Sequence, residues 1–194
     1  QMCIRDRCFV AGTMILTAIG LVTIENIKAG DKVISTDPET FETAEKTVLE
    51  TYIREVNKLV HLTINGEEII TTFDHPFYVR ERGFVNACEL WVGAQLLDVN
   101  NNILVVGNTR LELAKNPVKV YNFEVEDFHT YHVGEFRILV HNADYKITLS
   151  REKYPESAKH IKASLKGISK VPGKDLDEYP FAMCKEGGKG AHVR

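Results

Sequence analysis

Apolar and polar residues alternate along most of residues 8 to 142, which is the pattern expected of β-strands. Residues 48 to 53 divide into two interleaved sets, namely Val48, Glu50 and Tyr52, and Leu49, Thr51 and Ile53. Asn65-Gly66 separates two β-rich runs at residues 59–64 and 67–72. This dipeptide predicts a hairpin, because a type I′ turn needs a positive φ at both central residues.

Two further strand pairs are predicted downstream. Asn100–Asn102 separates Leu96-Leu97 from residues 103–106 and suggests a second hairpin. A third pair is expected between residues 118–125 and 136–140, with Tyr121, Phe123 and Val125 on one face of the first strand. Only Ala87–Trp91 suggests a helical turn. Short strands at a spacing of roughly 8–12 residues favour a mostly β sandwich or barrel-like domain.

The pattern changes after Asn142. Residues 151–166 carry Pro155 near a helix start and Ala158, Ile161 and Leu165 at helical spacing. Beyond them lie Pro172-Gly173 and the sequence GGKG at 187–190, with few apolar residues. We therefore expect a complete β domain at residues 8–142 and a small, incomplete second unit at 143–194. The flanking segment 1–7 (QMCIRDR) fits no structural pattern, resembles translated adapter sequence, and receives no functional role.

The amino-acid composition and net charge exclude some classes of function. The 194 residues include 24 Lys and Arg against 27 Asp and Glu, so the formal net charge is −3, and 44% are hydrophobic. This balance excludes a purely electrostatic binder of nucleic acid or membranes. We expect no membrane span and no signal peptide, because neither pattern occurs in the sequence. The four cysteines, Cys3, Cys8, Cys88 and Cys184, have the spacing of neither a disulfide framework nor a zinc site.

The two ends of the β domain carry residues suited to cutting a peptide bond. Cys8, within CFVAGTMI, could attack the carbonyl that precedes it, although a free cysteine is more often a small buried hydrophobe. At the other end stands Val140-His141-Asn142-Ala143. An asparagine amide can close a succinimide on its own carbonyl, and a neighbouring histidine can assist. The alternative is an ordinary His-Asn turn at the surface.

Two motifs between these ends could support the same chemistry. Thr72 and His75 are three residues apart after a predicted strand, so both could converge on one peptide bond. A turn before Pro76 is the simpler alternative. Asp127 could tune the Cys8 thiol and His129 could assist the asparagine, although either is weak evidence alone. Glu126 and His132 are expected to be solvated strand residues.

Taken in order, these motifs resemble the Hint superfamily, which includes inteins, Hedgehog autoprocessing domains and domains of bacterial polymorphic toxins. The matching stretches are CFVAGT, VTIENIKAGDKVIS, ITTFDHPFYV, VYNFEVEDFHTYHVG and ILVHN. The resemblance implies a pseudo-twofold all-β domain that brings its two ends together. It assigns an N-to-S acyl shift to Cys8 with help from Thr72 and His75, and cyclisation to Asn142 with help from His129 and His141.

One departure from the intein pattern affects the expected product. Splicing inteins place Cys, Ser or Thr after the asparagine, whereas this chain has Ala143. The resemblance therefore implies a single-turnover cleavage in cis after Asn142, with the chain as its own substrate and no cofactor. Two alternatives remain open, namely a catalytically degenerate Hint-like module that presents the segment after it, and a splicing intein.

The C-terminal segment resembles secreted bacterial deoxyribonucleases of the NucA/NucB family. The similarity lies in YPESAKHIK and in Asp177-Glu178-Tyr179-Pro180 followed by CKEGG at 184–188. It makes Asp177, Glu178 and Glu186 the nuclease candidates, with Asp177 and Glu178 as possible ligands of Mg²⁺ or Mn²⁺. A solvated acidic loop is the alternative. The fragment lacks the C-terminal part of that family, so we expect an incomplete α+β unit without nuclease activity.

Together the two resemblances suggest the C-terminal part of an exported or secreted bacterial toxin. The Hint domain would cut the DNase free from a larger protein, and DNA would be the substrate of the complete toxin. An immunity protein in the producing cell is implied as a partner by the family alone.

Overall fold

The computed structural model describes residues 7–142 and, in main chain only, residues 178–179 and 192–193. The chain divides into two compact units, Gln1–Asp144 and Tyr145–Arg194. In the second unit, strands at Glu178–Tyr179 and His192–Val193 pair antiparallel. The predicted helix at 151–166 lies outside the described residues.

Residues 7–142 of the first unit form β-strands and two short 3₁₀ helices, and the strands agree with the predicted alternation. Its strands are β1 (Phe9–Val10), β2 (Met14–Thr17), β3 (Gly20–Thr23), β4 (Lys32–Thr36), β5 (Thr43–Ile64), β6 (Glu67–Thr71), β7 (Pro76–Val79), β8 (Gly83–Asn86), β9 (Gln95–Leu97), β10 (Ile103–Val125), β11 (Thr130–Val133) and β12 (Ile138–His141). The 3₁₀ helices are Ile24–Asn26 and Ala87–Glu89, and the second falls where the sequence suggests a helical turn. No helix in residues 7–142 is long and apolar enough to cross a membrane.

The first two predicted hairpins are confirmed. Asn65 and Gly66 have φ angles of 48° and 93°, and the flanking residues Ile64 and Glu67 pair across the turn. These angles are the ones that a type I′ turn requires. Near the second hairpin, Leu97 pairs with Ile103 and Asn101 has a φ of 62°.

The predicted pairing of residues 118–125 with 136–140 is wrong. Residues 118–125 belong to β10, which pairs with β5, whereas β12 pairs with β11 and β7. Gly134, with a φ of 77°, allows a tight turn between β11 and β12, so the adjacent strand becomes the partner of β12. Sequence alternation identifies strands but carries no information about which strands pair.

Two strands are much longer than the predicted spacing suggests. β5 has 22 residues and β10 has 23, and the two pair over most of their lengths. The pairing shifts register at three points of β10, between Val106 and Asn108, between Leu113 and Val118, and between Glu124 and Val125. Pro117 lies in the second shift, where its missing N–H costs no ladder hydrogen bond.

The domain contains an internal repeat. The first 3₁₀ helix follows the β2–β3 hairpin and leads through Gly30 to β4, and the second follows β7–β8 and leads through Gly93 to β9. The N–H of Gly30 donates to Val48 at the start of one long strand pairing, and that of Gly93 donates to Val106 in the other long strand. This equivalence agrees with the pseudo-twofold architecture, and one apolar core that includes Phe9, Phe77 and Tyr131 joins the two halves.

Candidate functional site

Cys8 is fully buried next to the end of β6. β1 lies between two other strands, since Phe9 pairs with both Tyr121 of β10 and Thr71 of β6. The Cys8 N–H donates to the hydroxyl Oγ1 of Thr72 at 2.9 Å, and the Thr72 N–H donates to the Cys8 carbonyl at 3.0 Å. Thr72 therefore contacts the nitrogen of the Arg7–Cys8 peptide bond, as its sequence position suggests.

His75 lies in the same buried region and is electrically neutral near pH 7. Its ring stands 4.2 Å from that of Phe9, measured between centroids. Burial lowers its pKa well below the usual range, the charge of Arg7 and more weakly His141 lower it further, and the Arg7 main chain opposes the shift. Within residues 7–142, neither ring nitrogen makes a hydrogen bond of normal geometry. The proximity of the Arg7 main chain places the imidazole beside the Arg7–Cys8 bond.

Asn142 is held at the end of β12 by contacts from the neighbouring loop and strand. It is fully buried, and its N–H donates to the His129 carbonyl at 2.9 Å. The side-chain Nδ2 donates to the carbonyl of Phe123, while Oδ1 has no hydrogen-bond partner within the described residues. Asn142 therefore has an oriented carboxamide in a water-poor environment.

His141 connects this end of the domain with the beginning. Burial lowers its pKa to about 3, and the charges of Arg7 and His129 contribute to the shift. Its ring packs against Phe84 at 4.7 Å between centroids. β7, which begins directly after His75, pairs with β12, which ends at His141, through Phe77 and Val140. The residues around Cys8 and those around Asn142 therefore lie in one region of the domain. Six sequence-predicted residues meet there: Cys8, Thr72, His75, His129, His141 and Asn142.

The sequence of the domain that contains these residues also matches a known protein family. Residues 14–143 match the profile of the pretoxin HINT domain. The chain belongs to the pretoxin HINT domain family. The mostly β, Hint-like fold predicted from the sequence is thereby confirmed.

Solved structures share the fold of this HINT domain. The bacterial intein-like domain of Clostridium thermocellum is 70% identical in sequence, with a TM-score of 0.69, and the match covers 70% of this chain and 99% of that domain. The gp41-1 intein (24% identity, TM-score 0.58, covering 70% of this chain and 98% of the intein) supports the fold alone. The same holds for the Ssp DnaB mini-intein variant M86 (14% identity, TM-score 0.60, covering 76% and 100%).

A curated relative of a different kind is the DNA-entry nuclease of Bacillus subtilis strain 168. It is 37% identical over 73 residues, which cover 26% of this chain and 50% of the nuclease. The chain thus spans about half the length of that relative.

Asp127 lies outside the cluster of six residues. Its carboxylate Oδ2 is 2.7 Å from Nζ of Lys46, and its side chain is 61% exposed. The HINT domain thus gives Asp127 a partner other than the Cys8 thiol suggested by the sequence. Ala143 and the nuclease candidates Asp177 and Glu186 lie outside the described residues, and Glu178 is described in main chain only. Among residues 7–142, no group of three His, Cys, Asp or Glu side chains could hold a metal ion.

The prediction that His132 is solvated is wrong. The side chain is fully buried, with Nδ1 3.0 Å from the Ile34 carbonyl and Nε2 3.2 Å from the Thr36 hydroxyl. Every residue of β11 is buried, so alternation does not separate an outer face from an inner one. Glu126 is half-buried in the loop after β10, where its N–H donates to Thr47.

Sequence reasoning also missed Tyr131 and Asn122. The Tyr131 hydroxyl donates to Oδ1 of Asn122 at 3.0 Å, and both side chains are buried. Burial raises the pKa of Tyr131 well above its usual range, and the negative charge that the Cys8 sulfur carries when it is deprotonated adds to the shift. Tyr131 therefore remains neutral beside the nucleophile. The signal for Asn122 was a polar residue within an apolar run, VYNFEV, which predicts a buried polar contact but names no partner.

Proposed function

We propose that this HINT domain cleaves its own chain after Asn142 by asparagine cyclisation and releases the segment that begins at Ala143. The observation that supports this most is the buried Asn142 carboxamide next to His129 and His141. A surface turn would leave the carboxamide in water without the hydrogen bonds that orient it here.

Cyclisation at Asn142 forms one carbon–nitrogen bond, breaks another, and otherwise requires only proton transfers. Nδ2 attacks the carbonyl carbon of Asn142, closes the succinimide ring, and displaces the nitrogen of Ala143. Nδ2 loses one proton and the departing nitrogen gains one, so the step balances without another reactant. A neutral imidazole can accept the first proton and deliver the second. His141, whose pKa is about 3, is in that form at pH 7, and His129 provides a second imidazole.

The Arg7–Cys8 bond is the proposed site of a parallel reaction. The Cys8 sulfur attacks the Arg7 carbonyl carbon, the bond from that carbon to the Cys8 nitrogen breaks, and a thioester forms. The thiol proton moves to the released nitrogen, with His75 as the relay. Thr72 holds that nitrogen through its 2.9 Å contact. This reaction needs a reduced Cys8.

The missing nucleophile at position 143 favours cleavage over splicing. Ligation of the flanking segments by the usual route requires Cys, Ser or Thr after the asparagine, and Ala143 has no such group. The 70% identity with a bacterial intein-like domain is compatible with either product. A degenerate module that only presents the C-terminal segment is the remaining candidate.

The proposed cargo is a deoxyribonuclease fragment. The similarity to the DNA-entry nuclease supports this for a minor part of the chain. Asp177, Glu178 and Glu186 are the proposed catalytic residues, and Asp177 with Glu178 would bind a divalent metal that activates water. DNA as substrate, an immunity protein as partner, and export as part of a larger bacterial toxin follow as parts of the same proposal.

Loss of a C-terminal affinity tag tests the cleavage. The chain with this tag is purified and incubated at neutral pH in reducing buffer. We expect time-dependent loss of the tag, retention of the tag by Asn142→Ala, and normal loss by Asn100→Ala, which removes an exposed loop asparagine. Equal retention in all three proteins would favour the presenting module, and a ligated product of the flanks would favour splicing.

A further inference from the structure

We propose that Lys46 is a positioning residue for cleavage after Asn142, and that it acts by holding the loop formed by residues 126–129. This inference rests on the proposed function. It assigns a role to the ion pair between Lys46 and Asp127, which connects the beginning of β5 to the loop before β11.

The loop has a backbone conformation that its own sequence does not favour. Asp127 and His129 have φ angles of 59° and 52°, in the left-handed region that L-residues with side chains seldom occupy. Asp tolerates this region better than most residues, but two such positions within three residues need support from surrounding structure. The loop follows directly on the register shift between Glu124 and Val125.

Lys46 and its neighbour supply that support. Nζ of Lys46 lies 2.7 Å from the Asp127 carboxylate and 4.2 Å from the centroid of the Phe128 ring. The main-chain carbonyl of Thr47 accepts the N–H of Glu126 at 2.9 Å. The lysine side chain is only 18% exposed, so it is packed into the loop rather than extended into solvent. One cation thus contacts two consecutive loop side chains.

The loop in turn fixes His129 against the cleavage point. The His129 carbonyl accepts the Asn142 N–H at 2.9 Å, and the His129 imidazole acts on that of His141. A shift of the loop would therefore move the groups around Asn142. Cys8 and Thr72 are held by their own hydrogen bonds between β1 and β6. Loss of the Lys46 contacts should affect the C-terminal junction and leave the N-terminal one unchanged.

Cleavage rates at the two junctions test this difference. In Lys46→Met, we expect cleavage after Asn142 to slow roughly tenfold, because small displacements of reacting groups are costly. Release of the segment before Cys8 by an added small thiol should be unchanged. Lys46→Arg should restore cleavage after Asn142, since arginine keeps the charge and can stack on Phe128. Lys28→Met, which removes an exposed lysine, is the matched control. Equal slowing at both junctions, or no slowing, would overturn the role of Lys46.

Hydrogen exchange tests the same inference without any cleavage. The residue-142 amide is followed by NMR in the Asn142→Ala protein, with and without Lys46→Met. We expect the amide to exchange several-fold faster when Lys46 is replaced, because its acceptor is the His129 carbonyl. Unchanged exchange would overturn the inference. Faster exchange in a chain whose parent never cleaves would retain the positioning role and reject the proposed function.

Discussion

Arg7, the residue before Cys8, interacts electrostatically with His141, the residue before Asn142. The pKa of the His141 imidazole is lowered to about 3. Burial is the largest cause of this shift, and the charge of the Arg7 guanidinium is the second largest. Arg7 also acts on His75, and its side chain is itself buried. Arg7 therefore influences the histidines at both cleavage points, although it belongs to the flanking segment to which the sequence assigned no function.

Replacement of Arg7 should move the acid side of the pH–rate profile for cleavage after Asn142. Removing the cation raises the pKa of His141, so the imidazole becomes protonated at a higher pH and stops acting as a base there. In Arg7→Leu, the pH at which the rate falls should be higher than in the unaltered chain. Tag release measured from about pH 2.5 to 8 provides the profile, because the fall in the unaltered chain is expected near the His141 pKa of about 3, and Arg110→Leu is an exposed control. Superimposable acid limbs would argue against His141 as the base.

Thr72→Val should slow chemistry at the Arg7–Cys8 bond. The substitution keeps the shape of the side chain but removes the hydroxyl that accepts the Cys8 N–H at 2.9 Å. We expect thiol-induced release of the preceding segment to slow by roughly tenfold or more. Thr51→Val removes an exposed hydroxyl from β5 and is the control. Equal rates for the two variants would show that the Thr72 hydroxyl does not act on this bond.

Gly134→Ala should destabilise the domain through the Glu67 carboxylate. A Cβ at position 134 would lie 2.8 Å from both carboxylate oxygens, and the φ of Gly134 is 77°. The same carboxylate accepts the Glu135 N–H at 2.8 Å. We expect a loss of about 2 kcal/mol in the free energy of unfolding, by urea denaturation in the Asn142→Ala background. Combination with Glu67→Ala should cost less than the sum of the single changes, and strict additivity would exclude the clash.

The low pKa of the buried His132 should reduce the free energy of unfolding of the domain in mild acid. Burial lowers its pKa to about 4, whereas the unfolded chain binds the proton near pH 6.5. Between these values the unfolded state holds more protons, so the free energy of unfolding decreases as the pH falls. The expected contribution is about 2 kcal/mol between pH 7.5 and pH 5. Urea denaturation at both pH values should show a smaller decrease for His132→Asn, whose amide can still donate to Ile34. Identical decreases would assign the acid sensitivity to other groups.

Features that depend on a few adjacent residues were predictable from the sequence. The Asn65-Gly66 turn is encoded by two adjacent residues, and the structure shows the expected angles. The proximity of Cys8 to Thr72 was predictable because the motifs around them resemble those of a known fold. Such a resemblance indicates which distant segments lie together, and the local pattern of residues does not.

Contacts between distant segments were not predictable in this way. The partner of Asp127 is Lys46, which belongs to another strand and has no local signal that connects the two. The burial of His132 also depends on strands that cover both faces of β11. Neither the ion pair between Lys46 and Asp127 nor the burial of His132 produces a recognisable pattern of polar and apolar residues in the sequence.

The mass of the N-terminal fragment after incubation of the purified chain measures asparagine cyclisation most directly. We predict a species that ends at Asn142 as a succinimide, one water lighter than the same fragment with a free carboxyl end, and its absence from Asn142→Ala. A chain that keeps its full mass for days in reducing buffer, or a fragment that ends at another residue, would contradict self-cleavage by Asn142.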